Sequence, residues 1–240
     1  MILTALALLA AAPASAASAP PEIAASAEAR TNASRLSQLV APREIMVPLN
    51  MTWGERAVVA VPLQNEDAKA LEAAYPGIHA AMWLAAKAEM QRQIEADLPR
   101  LWARMERVYL AELTPNQIDG VLRFFQTPTG QRMIAGMYSN IDLNGAIETM
   151  TPDGGISESA LDKASEQTRR KAVAGLYPDP EDLAILSTAV SIDRMRQVGA
   201  RIQQTTSEWF NEENAEDEKK IEDLMTNAAE KFVAKADAGK

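Results

Sequence analysis

The sequence predicts an all-α protein: helical hairpins packed into one bundle-like domain, with a long C-terminal helix. Three observations carry this. Of the 240 residues, 47% are apolar but only twelve are aromatic, and Ala, Leu, Met, Glu, Gln, Lys and Arg, the good helix formers, dominate. The strict apolar/polar alternation of a half-buried strand is missing; residues 56–61 are short enough for either a strand or a helical turn. Proline and glycine fall between apolar stripes of helical spacing, and so punctuate the chain into segments.

Residues 2–12 form an uncharged apolar run, followed by Pro13 and the small-residue triplet Ala14-Ser15-Ala16. This is the pattern of a secretory signal peptide over 1–16, cleaved after Ala16 or after Ala19. The run is too short to cross a bilayer as a helix, which takes about 20 apolar residues. Residues 17–30, rich in Ala, Ser, Pro and Glu, read as a flexible leader. The expected organisation is then a helical domain over 31–207 and an acidic helical arm over 208–240. No later stretch is apolar enough to span a membrane, so the mature chain is expected outside it, in the periplasm.

Within the domain, a first helix is expected over 31–41, ending before Pro42. Residues 42–65 are hard to read because Pro48, Gly54 and Pro62 interrupt their apolar patches. A short helix near 66–74 stops at Tyr75-Pro76-Gly77. Helical patterning then runs from 77 to 96 and on to 111, with either a kink or a new start capped by Asp97 at Pro99. Leu98, Leu101, Trp102, Met105, Val108 and Tyr109 share one stripe.

Residues 113–126 carry the clearest local signature. Thr114 is placed as an N-cap, Pro115 in the first helical position where a missing N–H costs nothing, and Gln117 completes a capping box. Ile118, Val121, Leu122 and Phe125 follow at i, i+3, i+4 and i+7, with Phe124 at the edge of the stripe. Thr127-Pro128 repeats the cap-and-proline start, and Gly130 removes a side chain where the two helices would crowd. A further helix is expected from Ser157 to about Leu176. Tyr177-Pro178-Asp179-Pro180 then resembles the start at 113; segments 113–137 and 178–202 are either a degenerate duplication or two uses of the same cap.

Residues 193–236 read as one helix of about 66 Å. Its apolar stripe includes Ile202, Trp209 and Phe210, then Ile221, Leu224 and Phe232. From Glu208 onward there are ten acids and five lysines, over half of the formal charge of −9. A solvated helix face and a protruding arm that docks on a partner or a second copy both fit this pattern.

The stretch from Leu113 to Met133 resembles the hallmark of an uncharacterised secreted bacterial family, the domain of unknown function numbered two thousand and fifty-nine. Thr114, Phe124, Pro128 and Gly130 stand at its motif positions, while Phe125 replaces the usual Tyr, Thr127 the usual Ser and Arg132 the usual Lys. The resemblance implies a helical exported protein and brings no catalytic residues. The motif positions Thr114, Pro115, Gln117, Phe124, Phe125, Thr127, Pro128 and Gly130 are each explained by folding alone.

Composition narrows the chemistry further. Without cysteine there are no disulfides, thiolate metal sites or cysteine nucleophiles, and one histidine excludes a multi-histidine centre within one chain. The acidic balance argues against nucleic acid as a partner. His79 begins a helix with Glu72 the nearest acid upstream, and a dyad would need a partner that spacing does not supply. Met46, Met51, Met133 and Met137 raise copper(I) ligation by thioethers, but they coincide with core positions. No nucleophile-elbow, zinc-protease, P-loop or dinucleotide-binding pattern occurs. The expectation is a non-catalytic envelope module without cofactor or metal, binding a protein partner or itself; the alternative is a periplasmic carrier of a small ligand or metal.

Overall fold

A computed structural model describes residues 26–60, 65–139, 179–210 and 215–239. Among these residues the regular structure is entirely helical: α1 (Ala27–Val40), α2 (Arg43–Val59), α3 (Glu66–Ala74), α4 (Ile78–Glu112), α5 (Pro115–Gln126), α6 (Pro128–Ser139), α7 (Pro180–Ala189), α8 (Ile192–Phe210) and α9 (Ala215–Ala238). The signal-peptide segment and the helix expected from Ser157 lie outside the described residues. The chain divides into two compact units. One comprises the N-terminal part through Pro42 together with Pro99–Asn211; the other comprises Arg43–Leu98 and Glu212–Lys240.

In the first unit, α5 lies against α1, α6 and α7. Ser26 caps α1 by accepting from the Ala29 N–H at 3.1 Å, and Ala29 is already buried. The helix therefore starts within the segment read as the tail of the leader, because the cap and the alanine face extend the stripe Ala33, Leu36, Val40 by one turn. Leu101, Met105, Val108 and Tyr109 from α4, and Ile118, Val121, Leu122, Phe124 and Phe125 from α5, complete the core with Val198 and Ile202 from α8. The rings of Phe124 and Phe125 pack edge to face, with centroids 5.2 Å apart. Two aromatic donors satisfy the end of α1: the Tyr138 hydroxyl donates to the Val40 carbonyl at 2.7 Å and Trp102 Nε1 to the Ala41 carbonyl at 2.9 Å. Arg194 does the same for α4, donating from Nε to the Glu112 carbonyl at 2.8 Å.

The second unit contains α2, α3, the first 21 residues of α4 and α9. Helix α2 runs unbroken through Pro48 and Gly54 in the stretch that resisted reading from sequence. Pro48 sits early, so it forfeits one backbone bond, to the Glu44 carbonyl. Gly54 admits the neighbouring helix: a Cβ there would lie 2.2 Å from Met90 Sδ and 3.1 Å from the Trp83 ring. Met46, Val47, Met51, Trp53, Ile78, Trp83, Ala86 and Leu98 are the unit's buried apolar residues among those described. Helix α4 likewise continues through Pro99 without a new start.

Where one helix was expected over 193–236, the structure has α8 and α9 on either side of residues 211–214, which lie outside the described residues. Helix α9 lies along the early part of α4 within its unit. Lys220 Nζ and Glu89 Oε1 are 2.9 Å apart, Gln93 donates to the Asp217 carbonyl at 3.1 Å, and the Tyr75 hydroxyl donates to Asp237 at 3.2 Å.

Candidate functional site

The α5–α6 corner is built by its own sequence. Thr114 Oγ1 accepts from the Gln117 N–H, and the Gln117 side chain accepts from the Thr114 N–H at 2.9 Å, which completes the capping box. At the far end of α5 the Thr127 hydroxyl donates to the Phe124 carbonyl at 2.8 Å and accepts from the Gly130 N–H at 3.1 Å. One side chain thereby closes α5 and caps α6. Gly130 lies so close to α5 that a Cβ would sit 2.3 Å from the Phe124 carbonyl oxygen and 2.5 Å from the Phe125 Cα. Only a residue without a side chain fits that turn.

A partner that local spacing does not identify completes the corner. Thr129 is fully buried, and its N–H donates to Asp182 Oδ2 at 3.1 Å. Its hydroxyl oxygen accepts from the Asp179 N–H at 3.2 Å and from Arg132 at 3.1 Å. The Thr129 hydroxyl, the Thr129 N–H and Thr127 hold the Asp182 carboxyl below the usual range, helped by the charge of Arg132 and opposed by partial burial. Asp182 therefore supplies negative charge where the first turn of α6 presents free N–H groups. The signal in sequence was Asp182 itself, three residues into a second cap-and-proline start, but nothing local aims it at Thr129. Asp179 caps α7 as expected, accepting from the Glu181 N–H at 2.9 Å. Gly120 lets α7 approach: a Cβ there would meet that of Ala189 at 2.1 Å.

The lone histidine belongs to the second unit. His79 is buried, and its Nδ1 lies 2.8 Å from Glu72 Oε2. The other carboxylate oxygen accepts from the Gly77 N–H at 2.6 Å. That bond, more than the histidine, holds the Glu72 carboxyl below its usual range against the cost of partial burial. In the same unit, Trp53 Nε1 is a buried donor without a hydrogen-bond partner among the described residues.

The residues proposed from sequence as an interaction arm fall in both units. Ile202 is buried in the first unit, while Ile221, Leu224 and Phe232 are half-buried on α9 in the second. The side chains of Trp209 and Phe210 lie outside the described residues. Of the methionines considered as ligands, Met46 and Met51 are buried core residues and Met133 is half-buried; the Met137 side chain is not described. Among the described residues there is no cluster of three His, Asp or Glu side chains suited to a metal ion, and no helix long and apolar enough to cross a membrane.

Residues 99–141 match the model of an uncharacterised protein family conserved in bacteria, DUF2059. The matched stretch runs from Pro99 in α4 through α5 and α6 and includes the whole corner. No curated protein and no solved structure gives a significant match.

Proposed function

We propose, taking the match of the α4–α6 segment to a family without an assigned activity as premise, that this chain is a non-catalytic exported protein serving as an interaction or structural module of the bacterial envelope, with the periplasm as its compartment. The observation that supports this reading is the engagement of the matched corner's polar groups. Thr114, Gln117, Thr127, Thr129, Arg132 and Asp182 are bonded to one another or to backbone. A segment arranged in this way acts as a scaffold. The export part of the proposal rests on the apolar run and Ala-x-Ala site of residues 1–16.

The test has two arms. The mass of the protein recovered from the periplasmic fraction should lack residues 1–16 or 1–19; an intact N-terminus on cytoplasmic protein overturns the export proposal. Photo-crosslinkers at Leu84 and Ile192, which are 70% and 67% exposed, should each be tried in cells. A discrete adduct with an envelope protein or a second copy is expected, and monomer alone at both positions overturns the interaction reading.

The carrier alternative has Trp53 Nε1 in its favour, a buried donor with no partner among the described residues, since a buried donor without an acceptor costs about 1–3 kcal/mol. Titration with copper(I) or with small polar-headed apolar ligands, read by tryptophan fluorescence, separates the two. A saturable change favours the carrier.

A further inference from the structure

Helix α3 has no buried residue, so side-chain packing does little to hold it. Glu72, two residues before its end, ties it to the start of α4. Oε1 of Glu72 accepts from the Gly77 N–H at 2.6 Å; Oε2 faces His79 Nδ1 at 2.8 Å and the His79 N–H at 3.4 Å. The carboxylate thus reaches over the turn, where Gly77 holds a φ of +92° that suits glycine, and takes the place of an N-cap for α4. His79 beneath it is 4% exposed and Ile78 is fully buried, so the α4 side of this contact is anchored in the core. The titratable side chain in contact with Glu72 is His79. Elsewhere around the corner, Asp237 of α9 accepts from the Tyr75 hydroxyl, Lys69 of α3 is turned to Glu66, and the Phe232 ring of α9 lies 3.8 Å from where a Gly77 Cβ would be.

We propose that the contact of Glu72 with Gly77 and His79 is an acid-released latch, which keeps α3 closed on the start of α4 while the carboxylate is ionised and lets α3 open when it takes up a proton. An ionised carboxylate accepts all three N–H groups; a protonated one carries a donor of its own and is a weaker acceptor. The direction follows from linkage. The carboxyl binds its proton less readily when the latch is closed, so closure is favoured above the ordinary carboxylate range and lost as pH falls through the lower value of the closed form. The α5–α6 corner lies in the other unit and serves as an internal reference.

The test is amide hydrogen exchange on the full chain, corrected for intrinsic rates, at several pH values. In the wild type, residues 66–74 should lose protection as pH is lowered from neutral through and below the ordinary carboxylate range, while residues 115–126 stay protected. In Glu72→Gln, residues 66–74 should be open at neutral pH and indifferent to acid, with 115–126 unchanged. Asp237→Asn leaves the latch intact and should keep the wild-type pH dependence. Three results would overturn the latch: α3 protection in Glu72→Gln equal to wild type, loss of pH dependence in Asp237→Asn, or wild-type α3 opening only together with α5.

Discussion

Gly130 is the position where a single atom decides most. An added methyl group would collide with backbone rather than with a movable side chain, so Gly130→Ala should cost about 3 kcal/mol, the upper part of the range for overpacking, and lower the thermal midpoint by several degrees. Thr114→Ala, which removes a cap on an exposed residue, should cost about 1 kcal/mol and provides a scale on the same helix. Tyr138→Phe keeps the buried ring but leaves the Val40 carbonyl without its donor, for an expected loss of about 1–2 kcal/mol in denaturant titration. Burial pushes the Tyr138 hydroxyl up, so this bond should persist through mildly alkaline pH. The glycine and the cap were legible in sequence because their neighbours in space are also neighbours in the chain. The role of Tyr138 was not, since its acceptor lies 98 residues away.

Between helices, the same division holds. Glu89 joins α9 to α4: it accepts from Arg92 and Gln93 on its own helix and pairs with Lys220 on α9. Hydrogen bonds from Arg92 and then Lys220 bring its carboxyl down to about 2. Its contribution is therefore present at neutral pH and lost only as pH falls through about 2. Glu89→Gln should speed hydrogen exchange in α9 at neutral pH and low salt while leaving α5 unchanged; equal exchange in α9 would remove Glu89 as the tie. Pro48 makes a separate point about α2. Pro48→Ala restores one backbone bond at an exposed position and should raise the thermal midpoint, with a gain of about 1 kcal/mol. Proline and glycine made this stretch unreadable because their local penalties are real; packing of α2 on Met90 and Trp83 outweighs them.

For the whole molecule, charge and connectivity divide differently from the order of the chain. Acids outnumber bases by seventeen to ten in the unit formed by 43–98 and 212–240, so that unit carries −7 of the net −9. The acidic C-terminal segment is thus part of a folded unit that also includes α2, α3 and the start of α4. Ending the chain at residue 207 should therefore speed hydrogen exchange in residues 78–98 and leave residues 115–126 unchanged. A freely protruding arm would instead leave exchange in 78–98 the same with and without it.

The sequence by itself determined the helical class, the caps at Thr114 and Asp179, the sharp corner at Gly130 and the end of α3 at Tyr75. Each follows from residues within a few positions of one another, where propensity, proline geometry and capping act directly. Only the tertiary structure decided that Asp182 completes the cap of α6, that His79 pairs with Glu72, and that α9 belongs with the start of α4. Those outcomes depend on which faces meet. Thr129 and Asp182 are separated by 53 residues, and Tyr75 and Asp237 by 162. Helical periodicity specifies a face to be covered but not what covers it, because burial is non-directional and many partners satisfy it equally well.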